Sequence, residues 1–283
     1  FKMAVAADEM CGSIGGGVME VGLVQSAKCK VQSAENKTEI IEQIHRKNSP
    51  DASGMICSGK QTVIFFKLNF SHLKTIEKII FALEKNQSKT LQISNQRFQI
   101  SNSIPKENDF KFERSDKTEF IYREKLGYKH KLFIIGGGHC ALALSELMSK
   151  MNFDISLFDD RSDLNTLAKN EFVQAKKIID SYQNIGEFIE SGSDVYVVVM
   201  TLGYKFDEIV IRQLFDKSFK YFGILGSRAK METLWRNLEK EGFDKTKLSQ
   251  IHTPIGLKIN SRTPEEIAVS IAAEIIAVKN SKS

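Results

Sequence analysis

The chain has 283 residues, 42% hydrophobic and 27% charged, which is the make-up of an ordinary folded protein with room for two domains. Its formal net charge of +5 is modest and its 40 basic residues are spread along the chain, so a concentrated nucleic-acid-binding face is excluded. No apolar run approaches the roughly 20 residues that a membrane helix requires, and Cys11, Cys29, Cys57 and Cys140 form no CxxC pair of the kind that marks a zinc site or a disulfide framework.

Free thiols and the lack of a secretory signal point to the cytoplasm. The chain opens at Phe1 in mid-pattern rather than at Met, which leaves room for a preceding stretch. Residues 1–104 mix short β-rich runs with helical patterns and read as a smaller α+β domain. Residues 30–31 and 61–68 (QTVIFFKL) have strand character, and residues 18–28 and 70–85 have apolar side chains at helical spacing, as at Leu73, Ile76, Ile80 and Leu83. Residues 90–102 read as a hairpin turning at Asn95-Gln96. Residues 105–130 become charged and polar, with a short strand-like piece at 119–122, and are taken as a connecting segment.

From residue 131 to 283 the pattern is regular. Strand-like runs at 132–135, 154–158, 195–200 and 221–225 alternate with helical patterns at 141–151, 206–215, 228–241 and 264–278. Near-continuous apolar strands such as VYVVVM belong to a sheet covered on both faces. Alternating β and α units imply a Rossmann-like, doubly wound parallel sheet, giving an α/β protein overall. Thr263, Pro264 and Glu266 signal the start of the last helix.

The strand LFII runs into Gly136-Gly137-Gly138-His139-Cys140-Ala141. Gly136 permits a tight turn, Gly138 lets a pyrophosphate approach the backbone, and Ala141 lets helix and strand pack closely. Amides at the following helix start favour an anion. At the end of the next strand stand Asp159 and Asp160, where an acid bonds a ribose hydroxyl. The acids disfavour a 2′-phosphate and Arg161 favours one. The balance points to NAD or another nucleotide with an unphosphorylated ribose. The same loop also serves a fold that keeps the turn for packing and binds no dinucleotide.

His139 suits contact with a phosphate, proton carriage, or a simple orienting hydrogen bond. Thr201-Leu202-Gly203 and Gly226-Ser227-Arg228 fall at further strand ends, where open α/β sheets bind ligands. Arg228 and Lys230 suit an anionic group, whereas Ser227 also suits a plain helix cap. Gly15-Gly16-Gly17 before Val18-Met19-Glu20 reads as an amide nest for an anion or as a turn needing positive φ. Cys57 and Cys11 are the thiols suited to a soft metal.

Taken together, GSIGGGVME, ICSGKQTVIFF, LFIIGGGHCALAL with FDDR, GILGSRAK and HTPIGLKINSRTPEEIAVSIAAEIIA resemble the XdhC/CoxI family over nearly the whole chain. These are accessory proteins of xanthine dehydrogenase and carbon monoxide dehydrogenase type molybdenum enzymes. The resemblance implies an N-terminal XdhC/CoxI-type domain, a Rossmann domain and a homodimer. It also implies a chaperone, rather than an enzyme, that binds the molybdenum cofactor (molybdopterin). Such a protein assists the cofactor's maturation and insertion into a xanthine dehydrogenase-type hydroxylase, with a sulfurtransferase as a second partner and no nucleic-acid or membrane partner.

By the same resemblance Gly15, Gly16, Gly17 and Glu20 belong to the N-terminal signature loop, and Gly136, Gly138 and His139 to a Gly-x-Gly-His loop. Gly226, Ser227 and Arg228 match a Gly-Ser-Arg loop. Cys57 matches a Cys-Gly-Gly segment, with Ser58 in place of its first glycine, and is the candidate metal contact. The chain departs at Val18, where many members have Cys, and at Leu202 after Thr201, where many have His. The competing expectation is an NAD(P)-dependent oxidoreductase using the Rossmann domain.

Overall fold

The computed structural model describes residues 2–33, 38–45, 59–85, 87–95, 97–102, 110–115, 119–128 and 130–281. The chain divides into two units, Phe1–Leu126 and Gly127–Ser283. Cys57, Ser58 and Gln96 of the turn at Asn95 lie outside the described residues.

In the first unit β1 (Lys2–Val5) and β2 (Met10–Ser13) form an antiparallel pair that leads into α1 (Gly17–Gln32). β3 (Glu39–His45) pairs antiparallel with β4 (Gly59–Phe65). α2 (Leu73–Glu84) follows a single 3₁₀ turn whose Asn69 side chain accepts from the Ser71 amide. β5 (Lys89–Ser94), β6 (Phe98–Ser101), β7 (Phe110–Arg114) and β8 (Phe120–Leu126) make an antiparallel sheet in the order β6-β5-β8-β7.

Two sequence expectations change here. Lys30 and Val31 continue α1 instead of forming a strand, because two β-formers cannot outweigh a helix whose hydrogen bonds run on until the Ser33 amide reaches the Cys29 carbonyl. The segment read as a connection over 105–130 carries β7 and β8. Its charged residues sit there because strands tolerate charge when partners face across them: Arg123 Nη1 meets Glu113 Oε2 at 2.7 Å, while Phe120 and Leu126 are buried.

The second unit runs β9 (His130–Ile135), α3 (His139–Ser149), β10 (Phe153–Asp159), α4 (Asn165–Lys169), β11 (Ala175–Ile178), a 3₁₀ stretch at Tyr182–Glu187 and β12 (Gly192–Val199). It continues with α5 (Tyr204–Leu214), β13 (Phe219–Ile224), α6 (Arg228–Lys240), α7 (Lys245–Ser249) and α8 (Pro264–Asn280). The five strands are all parallel, in the order β11-β10-β9-β12-β13. The order reverses between β9 and β12, so their connections leave on opposite faces. Such a switch point is where doubly wound sheets bind ligands.

Alternation along β9 builds both faces. Leu132 and Ile134 pack with Leu144 and Met148 of α3 and Ile271 and Ile275 of α8, whereas Phe133 and Ile135 pack with Val210 and Ile211 of α5 and Leu234 and Leu238 of α6. Each such side chain is almost wholly buried and contributes about 1.5–3 kcal/mol. The capping box between Thr263 and Glu266 fixes the start of α8. β11 escapes sequence reading because Ala-Lys-Lys-Ile is a short, exposed edge strand with charged residues in it. Among the described residues no helix is long and apolar enough to cross a membrane.

Candidate functional site

Backbone geometry at the end of β9 separates the three glycines by task. Gly136 has φ 106°, and a Cβ there would stand 2.3 Å from the Met200 carbonyl oxygen, so this glycine is required by the close approach of the chain leaving β12. A Cβ at Gly137 would meet Leu167 at 2.9 Å. Gly138 has φ −73°, and a Cβ there would meet nothing within 4 Å. Gly136 and Gly137 are therefore held by the protein itself, and Gly138 opens onto free space at the start of α3.

Gly137 is clamped on both sides. Its amide donates to Asp159 Oδ2 at 2.6 Å, and its carbonyl accepts from the buried Thr166 hydroxyl at 2.5 Å. Asp159 is fully buried and also accepts from the Arg161 amide, Nε and Nη2, each at 2.9 Å. Burial pushes the Asp159 carboxyl up, but the Arg161 guanidinium and the two amides outweigh it and hold the group below its ordinary value. Both oxygens thus bond to protein groups, and the acid left facing outward at this strand end is Asp160, 24% exposed.

His139 is exposed at the first position of α3, and Ala141 is buried against the sheet. Cys140, between them, packs partly against the core. Burial and Glu265 raise its thiol pKa, opposite to what a helix start alone would do.

On the other side of the switch, Thr201 follows β12 and donates to Asp207 Oδ1 at 2.5 Å. Asp207 is fully buried in α5 and accepts from Lys230 Nζ of α6 at 2.7 Å. Ser227 caps α6 by accepting from the Lys230 amide at 3.4 Å, and Arg228 beside it is exposed. Gly203 caps α5, and a Cβ there would meet nothing within 4 Å. Gly226 is tighter, with Met231 Sδ 3.1 Å from such a Cβ. Leu202, at the position where histidine is common in the resembling family, is 73% exposed.

On the α8 face of β13, Glu274 of α8 accepts from the Tyr221 hydroxyl at 2.5 Å and the Gly256 amide at 2.9 Å, with His252 at 3.4 Å. Burial raises the Glu274 carboxyl, and His252, Tyr221 and Gly256 more than reverse that.

The N-terminal glycine loop is described by itself. Gly15, Gly16 and Gly17 have φ 132°, 74° and 74°, so the turn needs glycine. Glu20, in the first turn of α1, folds back into the nest. Its Oε2 accepts from the Ser13 hydroxyl at 2.7 Å, the Ile14 amide at 2.8 Å and the Gly16 amide at 3.0 Å. These bonds, that from Ser13 foremost, lower its pKa. The amides that the sequence offers to an anion already hold a carboxylate of the chain. Cys11, also considered for a soft metal, is an exposed free thiol. Among the described residues no group of three His, Cys, Asp or Glu side chains is placed to hold a metal ion.

Asp207, Thr166 and Glu274 do not stand out in the sequence. Each acts through a partner distant in the chain, and the local signal is faint: an acid inside the first turns of a helix, or a polar residue inside an otherwise apolar pattern.

Parallel order, a glycine turn at the switch point and helix starts that follow the strand ends define a Rossmann-type protein. The XdhC Rossmann domain family matches residues 132–275, about half of the chain, and the chain belongs to the XdhC family. It is 31% identical over 166 residues to a probable xanthine dehydrogenase subunit of Bacillus subtilis strain 168, covering 58% of this chain and 47% of that protein. It is 29% identical over 157 residues to the uncharacterised protein YqeB of Escherichia coli strain K12, covering 54% of this chain and 28% of the relative. The chain thus spans less than half the length of both curated relatives. The crystal structure of a xanthine dehydrogenase from Bacillus halodurans superposes with a TM-score of 0.74 at 19% identity, over 99% of this chain and 86% of that one, which shows a shared fold.

Proposed function

We propose that this chain is an accessory factor that holds the molybdenum cofactor for a xanthine dehydrogenase-type molybdenum hydroxylase. Membership of the XdhC family and the similarity to the Bacillus subtilis relative support an association with that enzyme class. On this reading its partners are the recipient enzyme, a sulfurtransferase and a second copy of the chain, and it performs no turnover of its own.

The observation that carries the binding part is the cationic rim at the ends of β12 and β13. Lys230 is fixed by the buried Asp207 at 2.7 Å, with Arg228 exposed two residues before it and the Gly203 backbone open beside Thr201. A cation held in place by a buried carboxylate loses little freedom when it meets an anion. Arg228 offers the forked donors that match a phosphate, and Gly138 and His139 start α3 after β9, the strand paired with β12.

These residues fit the phosphate and pterin portion of the cofactor. When bound, that group supplies a redox-active molybdenum centre to the recipient enzyme. Arg228, Lys230 and the helix-start amides bind and orient the anionic end. Thr201 and Asp207 position Lys230. Cys57, the metal contact that the sequence resemblance implies, lies outside the described residues.

The test is anaerobic purification followed by mass spectrometry of the released ligand and elemental analysis for molybdenum. Molybdopterin recovered from the unmodified chain and lost from Arg228→Ala is the expected result. A nicotinamide nucleotide alone would instead favour an oxidoreductase.

A further inference from the structure

The antiparallel sheet of the first unit ends differently on its two sides. At β6 the edge is covered: Phe98 stacks on Phe66 at 5.3 Å and meets His72 edge-on at 5.4 Å, and Thr75 of α2 donates to the Phe98 carbonyl at 3.4 Å. On the other side β7 pairs with β8 alone among the described strands, and all five residues from Phe110 to Arg114 are exposed. The aromatic row on one face opens outward. Phe120 of β8 is 4% exposed, Phe112, 6.2 Å from it, is 36% exposed, and Phe110 is 61% exposed. The other face carries Lys111 and Glu113 beside Arg123 of β8. An edge strand that leaves its backbone groups and two phenylalanines open invites a further strand.

We propose that β7 is an interface between two copies of this chain, paired antiparallel about a two-fold axis through Phe112. The strand Phe-Lys-Phe-Glu-Arg is self-complementary in that register. Phe112 opposes the partner's Phe112, and Lys111 in each copy opposes the partner's Glu113. Within one copy Lys111 reaches Glu113 at 2.7 Å with 61% of the lysine side chain exposed, a solvated contact that is readily exchanged. Directly opposed side chains lie about 5 Å apart, closer than the roughly 7 Å between positions two apart on one strand. Glu113 keeps Arg123, which it meets at 2.7 Å. Arg114 is tied to Glu42 of β3 at 3.0 Å, so the pairing rests on the three middle residues and the backbone.

Charge selects both register and occupant. Moving the axis to Lys111 or to Glu113 sets like charges directly opposite each other, which is unfavourable. A strand of another protein would match the alternating charges only by chance, whereas a second copy satisfies both ion pairs by symmetry. Five residues span about 17 Å, so the contact is small and its dissociation constant is expected on the order of micromolar. The pairing uses no residue of the cationic rim and does not rest on the carrier reading.

Sedimentation equilibrium of the whole chain from about 1 to about 100 µM, in the absence of any molybdopterin, tests the proposal. The unmodified chain should pass from monomer to dimer and stop there, because a closed two-fold pair uses up the edge. Lys111→Glu and Glu113→Lys should each weaken self-association at least about tenfold, since both symmetric ion pairs turn repulsive at once. Mixed in equal amounts, the two variants should pair again, because each then sets unlike charges against the other. A chain that stays monomeric throughout, a dimer that Lys111→Glu does not weaken, or two folded variants that fail to pair when mixed would overturn it. Thermal melts confirm folding, and should Glu113→Lys unfold for want of its Arg123 contact, the exposed Lys111→Glu decides alone. Because molybdopterin recovery is measured separately, failure here and failure of the carrier reading are distinguishable.

Discussion

The carboxylate of Asp159 accepts the amide of Gly137 at 2.6 Å inside the protein, tying the end of the second strand of the parallel sheet to the glycine turn that follows the first. Arg161 closes the other side of the same carboxylate. The acid that a Rossmann sequence offers to a ribose is here a clasp for the turn, and Asp160 takes the outward position.

Removing that clasp should be costly. Asp159→Ala leaves the Gly137 amide buried and unmatched and frees Arg161, so a loss of about 2–4 kcal/mol is expected. For a chain of this size that lowers Tm by several degrees, which calorimetry on the variant will show. Because the folded carboxyl is held below its ordinary value, its stabilising contribution is fully present above about pH 4 and falls away as pH drops below that. Because Glu20 and Glu274 are held low as well, both proteins should lose stability in denaturant titrations between about pH 5 and 3, and Asp159→Asn should lose less than the unmodified chain.

Neighbouring glycines should respond oppositely. Gly136→Ala places a methyl 2.3 Å from the Met200 carbonyl oxygen at φ 106° and should cost at least about 2 kcal/mol. Gly138→Ala meets nothing within 4 Å at φ −73°, so its melting temperature should stay close to that of the unmodified chain while ligand affinity drops. Paired thermal melts and titrations separate the two, and equal destabilisation would show that the loop packs differently.

Lys230→Ala strands a buried carboxylate. A loss on the order of 3 kcal/mol is expected, at the low end for a buried pair because about a quarter of Lys230 is exposed. Adding Asp207→Asn should recover part of it, since the uncompensated charge is then gone. Denaturant midpoints for the two singles and the double give the coupling directly, and strict additivity would rule out the pair as a unit.

Arg228→Ala should leave Tm unchanged, the side chain being exposed, while recovery of molybdopterin falls about tenfold or more through loss of a charge-assisted contact. Quantitative mass spectrometry of released pterin from equal amounts of both proteins reads this out.

In the N-terminal loop, Glu20→Ala should speed hydrogen exchange at the Ile14 and Gly16 amides, which donate to Glu20 Oε2 at 2.8 and 3.0 Å. Added inorganic phosphate should slow that exchange again only in the variant, because in the unmodified chain the carboxylate holds the nest. Slowing in both would make the loop an anion site with Glu20 in place.

Much of this protein follows from local chemistry alone. The apolar runs of β9, β10, β12 and β13, the glycine turn at Gly136 and the cap at Thr263 write the parallel sheet and its last helix into the sequence, because period and turn geometry depend on neighbouring residues. The α1 tail at Lys30–Val31, the strand β7 and the exposed edge strand β11 were illegible because hydrogen-bonding partners elsewhere decided them, while only the first part of β8 showed in the sequence. Only tertiary structure could allot the polar groups. A carboxylate near a glycine loop reads the same in sequence whether it waits for a ribose or bonds an amide. Burial decides, since a charge taken out of water must be matched by whatever donors the fold brings within about 3 Å. Asp159 found its donors in the buried protein, Glu20 met the amides of a glycine turn folded around it near the surface, and Asp160 and Arg228 were left at the surface.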